Sequence, residues 1–277
     1  MSSAAINQPA ARELLLLADA GHTRIKLAAC RPGADGELPV VVAAVAVMLG
    51  ESLPWETVLD WFAGQIPVNL ITGSNPPALS QLVEQWPAEL GVPCPLVDRS
   101  QLPITCAVDH PERVGIDRLL NAIAANRLRQ PRQTAIIIDT GTAITVDAVA
   151  STGVFQGGAI LPGVRMGAQA LHRYTSTLPE IDAAEMFSRT PDPLGRNTQA
   201  AIESGLYWGH VGAVRELIFR QRDRLANFDK AKDAPSLLLF TGGAAPLLAP
   251  HFAHARFEPH LALQGLAVVC EQSRTAE

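Results

Sequence analysis

Ala135–Asp147 reads AIIIDTGTAITVD, and the rest of the chain falls into place around it. Three isoleucines run straight into Asp139, a short, continuous, β-branched run that reads as a buried strand. Thr140, Gly141 and Thr142 follow, and a second β-branched run ends at Asp147. Gly141 reads as the turn residue, since a residue without Cβ allows positive φ and close backbone approach. Asp139 then stands at the mouth of a tight strand–turn–strand, beside exposed N–H groups and two hydroxyls. Amides and hydroxyls suit an anion such as phosphate, and a carboxylate suits a metal. An ordinary hairpin whose Asp bonds its own turn fits the same letters.

A second copy lies upstream. Leu14–Lys26 reads LLLLADAGHTRIK, with an apolar run ending in Asp19-x-Gly21, then Thr23 and another strand. Each half also carries a later echo, LITGSNPPAL at Leu70–Leu79 and LFTGGAAPLL at Leu239–Leu248. Both fit L-x-T-G-x-x-x-P-x-L. The order hairpin, strand ending in Thr-Gly, then helix therefore occurs twice, which predicts a duplicated α/β unit with a cleft between the halves. Two phosphate hairpins facing across that cleft would hold a nucleoside triphosphate from both sides.

The chain has 277 residues, 48% hydrophobic and 18% charged, enough for one large domain or two medium ones with a sizeable core. A net charge of −5 without a dense basic run argues against nucleic acid as the main partner. Cys30, Cys94, Cys106 and Cys270 are scattered and fit reduced thiols better than a zinc site or a disulfide framework. LLLLADA is too short and too close to Glu13 for a secretory leader. Val40–Leu49 is about half the ~20 residues a membrane span needs, and reads as a strand.

Residues 1–12 read as a loose tail. Strands are expected at Leu14–Asp19, Thr23–Cys30, Leu38–Leu49, Val68–Thr72 and Pro93–Val97. Helices are expected at Trp55–Ala63 and from Pro76 to about Trp86, the latter capped by Asn75. Gly115–Leu128, GIDRLLNAIAANRL, puts Leu119, Leu120, Ile123 and Ala124 on one helical face. Asp117 at its start reads either as a cap favoured by the helix dipole or as a functional carboxylate. In the second reading it accepts a proton from a hydroxyl while Arg118 grips an anion. Further on, Phe155–Leu161 is a strand leading through Pro162–Gly163 into a helix. Thr198 starts a long helix to about Leu225, with Asn197 or Thr198 as its cap. Leu237–Phe240 runs into Thr241-Gly242-Gly243, a plain turn or a place for a flat ligand such as adenine. Leu261–Cys270 is a closing helix.

Five motifs in this order resemble the type III pantothenate kinases: D-x-G-x-T-x-x-K at Asp19–Lys26, G-x-D-R at Gly115–Arg118, D-x-G-T-A-x-T-x-D at Asp139–Asp147, G-R-N-T at Gly195–Thr198 and the late T-G-G. These belong to the acetate and sugar kinase/Hsp70/actin superfamily. The resemblance runs from about Leu14 to Cys270. It implies an α/β fold of duplicated ribonuclease H-like (actin-like) ATPase domains with an interdomain cleft, divided as 13–115 and 116–277. It implies ATP-dependent phosphorylation of pantothenate to 4'-phosphopantothenate, the first step towards coenzyme A. By this resemblance Asp19, Gly21, His22, Thr23 and Lys26 hold ATP phosphates, with Gly141 and Thr142 on the other side. Asp117 is the proton acceptor. Gly115, Ile116, Arg118 and Thr198 line the substrate site beside it. Asp139 matches a monovalent-cation position for potassium or ammonium, and Asp19 anchors magnesium through water. A cytoplasmic homodimer binding pantothenate and ATP, with no nucleic-acid or membrane partner, is implied as well. Two positions depart from the pattern. His22 stands where the first loop usually has Asn, and Val108 stands ahead of Pro111 where a Tyr is common. A kinase of the same superfamily acting on another small hydroxyl substrate, and a degenerate ATP-binding regulatory protein, are the competing readings.

Overall fold

A computed structural model of the chain describes residues 14–34, 36–96, 99–182, 189–229 and 235–275. The expected tail at 1–12 lies outside them. The chain forms two compact units, Met1–Asp98 with Leu266–Glu277, and Arg99–Gly265. The division falls at Asp98/Arg99, where the sequence reading puts it at 115/116, and the final residues go with the first unit.

In the first unit β1 (Leu15–Ala20) pairs antiparallel with β2 (Arg24–Arg31), which pairs antiparallel with β3 (Val40–Met48). Helix α1 (Trp55–Asp60) leads to β4 (Val68–Gly73), which lies parallel on the other side of β1 and is followed by α2 (Pro76–Glu84). The sheet order is β3-β2-β1-β4. Every residue of β1 is buried, because a central strand covered on both faces has no solvent side to alternate towards. Leu16, Ala18, Leu27, Phe62, Ile71 and Leu82 form one apolar cluster around it. Each large side chain removed from water there contributes about 1.5–3 kcal/mol. Asn75 caps α2 as expected, its side chain accepting the Ala78 N–H. The strand expected at Pro93–Val97 reduces to a single parallel bridge between Pro95 and Ile71; Val97 lies outside the described residues.

The second unit repeats that plan. Helix α3 (Ile116–Leu128) precedes β5 (Ala135–Thr140), β6 (Ala143–Val149) and β7 (Phe155–Pro162), an antiparallel run. Helices α4 (Val164–Arg173) and α5 (Thr198–Asp229) follow, then β8 (Leu237–Thr241), α6 (Ala245–Leu248), β9 (Ala255–Phe257) and α7 (Leu261–Thr275). The order β7-β6-β5-β8-β9 has β5, β8 and β9 parallel. With Pro95 standing where β9 would be, both sheets follow one topology, the duplicated α/β pattern the motifs led us to expect. Along α5, Tyr207, Val211, Val214, Ile218 and Leu225 recur at helical spacing and bury against Ile136, Ile138, Ile144 and Val146. Its cap is Asn197, whose side chain accepts the Ala200 N–H at 2.8 Å.

Candidate active site: two hairpins and a pinned helix

The echo between the halves extends to individual atoms. In the first unit Asp19 lies level with Thr72 of the neighbouring parallel strand; in the second, Asp139 lies level with Thr241. The Asn75 N–H returns to the Ala20 carbonyl at 3.2 Å, and the Ala244 N–H returns to the Thr140 carbonyl at 3.1 Å. Each turn closes on its glycine N–H at 3.0 Å, Gly21 to the Arg24 carbonyl three residues on and Gly141 to the Ala143 carbonyl two residues on. The Thr140 hydroxyl also donates to the Thr241 carbonyl at 2.9 Å, tying β5 to β8.

Asp19 is buried, and the Lys26 ammonium on the facing strand stands 3.7 Å from its Oδ2. The lysine is 44% exposed, so the pair adds little stability, but its positive charge stays open to an arriving anion. His22 is exposed and Thr23 half-buried in the turn, with the Thr23 carbonyl accepting the Leu49 N–H at 3.1 Å. Gly141 and Thr142 are exposed at the tip of the second hairpin.

Gly141 does not adopt the positive φ expected of it. A Cβ there would meet Ala143 O and Asp139 Oδ1 at 3.7 Å, ordinary contact. Positive φ falls instead at Gly242, at φ 88°, where a Cβ would come within 2.6 Å of Asp139 Oδ1 and 2.7 Å of the Thr140 backbone. Gly163 is needed too. Its N–H bonds the Thr142 carbonyl at 3.1 Å, and a Cβ would lie 2.3 Å from that oxygen.

Asp117 does not cap α3. Gly115 occupies the N-cap, and Asp117, half-buried in the first turn, accepts the Arg118 N–H on Oδ1 at 2.9 Å. A Cβ on Gly115 would meet that Oδ1 at 2.5 Å, so the glycine makes room for the carboxylate to fold back. Ile116 is buried beside it.

Two polar pairs pin α3 to its sheet. The Arg118 Nε donates to both oxygens of Asp147 at 3.1 Å, and Nη2 donates to Oδ1. Asn121, one turn beyond Asp117, donates from Nδ2 to Asp139 Oδ2 at 2.9 Å. Asp147 is 1% exposed. Burial pushes its carboxyl up, against the bonds and charge of Arg118 that pull it down. Burial alone would lower the Arg118 pKa, but the bond and charge of Asp147, with the charge of Asp117, raise it. An arginine keeps its proton, so Asp147 always faces a positive charge. Arg118 also stacks over the buried Phe155, its Cζ 5.6 Å from the ring centroid. Gly158 leaves space for the acid, since a Cβ there would meet Asp147 Oδ1 at 2.5 Å.

Asp117, Arg118 and Asp147 thus form one bonded set, and Asn121 with Asp139 a second, both carried by α3 within the second unit. Thr198 is part of neither. It is exposed at the first turn of α5, and among the described residues no hydrogen bond links it to them. Val108 lies beside Gly157 of β7, 3.2 Å from where a Cβ would be. The local sequence gives no role to Asn121 or Asp147. Their signals were an amide on the buried face of α3 and an acid closing the D-x-G-T motif.

Among known proteins, the family model for the type III pantothenate kinases matches residues 15–220. The chain belongs to this family. A type III pantothenate kinase of Gluconobacter oxydans is 39% identical over 184 residues, 65% of this chain and 63% of that relative. One from Legionella pneumophila strain Corby is 41% identical over 157 residues, 57% of each. The chain thus spans just under two thirds of the length of the curated relatives it matches. A crystal structure of a conserved putative Baf family transcriptional activator from Campylobacter jejuni aligns with a TM-score of 0.58 at 18% identity, covering 94% of this chain and 99% of the other. That likeness concerns the fold alone.

Proposed function

We propose that the chain phosphorylates pantothenate on its primary hydroxyl, using ATP. The observation that carries this is Asp117, set in the first turn of a helix fixed to its sheet by Arg118–Asp147 and Asn121–Asp139, in a chain of this family. Phosphoryl transfer asks a protein chiefly for positioning and charge stabilisation, and a pinned helix supplies the first.

In this reading Asp117 orients the substrate hydroxyl and takes its proton as the bond to phosphorus forms. General-base help of this kind is commonly worth about 10²–10⁴-fold. Arg118 spends Nε and part of Nη2 on Asp147, so its remaining donors meet a substrate oxygen. Asp147 keeps that guanidinium aimed. Gly115, Ile116 and Thr198 line the same substrate. Lys26 and the amides and hydroxyls around Gly21, His22 and Thr23 neutralise phosphate charge in the first unit, and Gly141 and Thr142 do so in the second.

Metal ions fit the donors present. No group of three or more His, Cys, Asp or Glu side chains able to hold a metal occurs among the described residues. A magnesium ion, which keeps several waters and favours phosphate oxygens, would therefore be held mainly by the nucleotide, with Asp19 reached through water. Asp139 offers hard oxygen donors suited to potassium or ammonium. Bound cations would supply charge neutralisation of the phosphates. Action as a cytoplasmic homodimer belongs to the same proposal and is supported by the resemblance. Among the described residues no helix is long and apolar enough to cross a membrane.

A coupled assay of ADP release tests this reading, with and without pantothenate and with potassium exchanged for sodium. Release should require pantothenate, and potassium or ammonium. Release indifferent to pantothenate, or strongest with a sugar or short carboxylate, would overturn the substrate. Full rate in sodium alone would remove the cation role from Asp139.

A further inference from the structure

Asn121 is the odd residue on α3. The helix buries Ile116, Leu119, Leu120, Ala122, Ile123, Ala124 and Ala125, and Asn121 sits among them at 1% exposure. Its Nδ2 bonds Asp139, while its Oδ1 is buried without a hydrogen-bond partner. The amide cannot be turned over to satisfy that oxygen, because Oδ1 would then face the carboxylate, two acceptors against each other. A buried acceptor left unmatched costs free energy, and an apolar side chain would pack there without that cost. The amide makes one bond in return, and that bond goes to Asp139.

We propose that Asn121 is a positioning residue for Asp139. It fixes Oδ2 from the helix side, while Oδ1 lies over Gly242, where no Cβ is tolerated. With Oδ2 bonded and Oδ1 lying against Gly242, the carboxylate keeps one orientation. Because Asn121 follows Asp117 by one helical turn, the same bond sets the height of Asp117 on the sheet. The proposal rests on the reading of Asp139 as a cation-holding carboxylate of the kinase.

The test is a double-mutant cycle between Asn121→Leu and Asp139→Asn, read in kcat and in KM for pantothenate. Asn121→Leu should lower kcat about tenfold or more, the scale of a hydrogen bond to a charged group, with KM within about twofold. In the Asp139→Asn background it should have no further effect, since the residue acts through that carboxylate. Equal losses in both backgrounds, or wild-type kcat in Asn121→Leu, overturn the proposal. Asn121→Ser replaces Asn121→Leu should the latter not fold.

Melting temperature provides a readout independent of turnover. Exchange of tetramethylammonium chloride for potassium chloride at equal ionic strength should raise the melting point of the wild-type chain, and Asn121→Leu should lose most of that rise. A rise kept in full by the variant, or absent from the wild type, overturns the proposal. A wild-type chain that shows the rise but no pantothenate-dependent ADP release, with the rise lost in the variant, sinks the kinase reading and leaves the role of Asn121 supported.

Discussion

The two hairpins share a strand pairing and differ in what their carboxylates meet. Opposite Asp19 on the facing strand stands Lys26; opposite Asp139 stands Thr145. Asp19 has an ammonium 3.7 Å away, whereas Asp139 has a neutral amide from another helix. The first turn places four residues between Ala20 and Ile25, and the second places three between Thr140 and Ile144. The extra residue gives the first loop its His22-Thr23-Arg24 run. One duplicated scaffold has thus been set to two tasks: a cationic hairpin suited to phosphate, and a hairpin whose acid is oriented without being neutralised by its strand neighbour. The matching return bonds, Asn75 to Ala20 and Ala244 to Thr140, indicate that the specialisation lies in the side chains and in the one-residue difference between the turns.

The largest expected effect concerns an acid that only the second half uses this way. Asp147→Ala leaves Arg118, 15% exposed, without its partner, and should cost about 3 kcal/mol of unfolding free energy in urea melts. The double variant Arg118→Met/Asp147→Leu should recover much of that loss while remaining inactive. A single variant as stable as wild type would mean that the pair does not pin α3.

Next come the two glycines that follow the echoed threonines. A Cβ on Gly73 would lie 2.5 Å from the Ala20 carbonyl, and one on Gly242 would meet both Asp139 and Thr140 at positive φ. Gly242→Ala should therefore cost about 1–2 kcal/mol more than Gly73→Ala, the added strain of a left-handed residue. Equal costs would show that φ is not what separates them.

Lys26→Thr gives the first hairpin the residue of the second. It should raise KM for ATP roughly tenfold, the loss of one charge-assisted contact, with little change in melting because the lysine is 44% exposed. An unchanged KM would remove Lys26 from the phosphate site.

The smallest effect is in the first sheet, where Cys30 faces Leu15 in the register that Val149 occupies opposite Ala135. Burial, with the nearby Cys270 and Glu271, pushes the Cys30 thiol from 9.0 up to about 12. A pKa raised by folding gives stability that is complete below pH 9 and is lost as pH climbs towards 12. Cys30→Val should lack this alkaline component in melts taken across that range; identical pH profiles would contradict it.

Much of this was legible because repetition amplifies weak signals. Both hairpins, both Thr-Gly echoes and the Asn75 cap follow from local chemistry and stand as expected, and of the two caps open for α5 the structure uses Asn197. Among the described residues the strand expected at Pro93–Val97 is one bridge, in which Ile71 bonds the Cys94 carbonyl and the Leu96 N–H on either side of Pro95. Three-residue β9 and four-residue α6 are too short to show a period. The local sequence suggests positive φ at Gly141, while the need lies at Gly242, since the constraint comes from Asp139 on a neighbouring strand. Asn121 and Asp147 were hidden for the same reason: their partners lie 18 and 29 residues away in the chain.

Comparison of Asp117→Asn with the wild-type chain, followed as pantothenate-dependent ADP release beside a melting curve, tests the central claim most directly. A fall in kcat of at least about 100-fold with an unchanged melting point is the result expected of a lost general base. Turnover at the wild-type rate by the folded variant would contradict it.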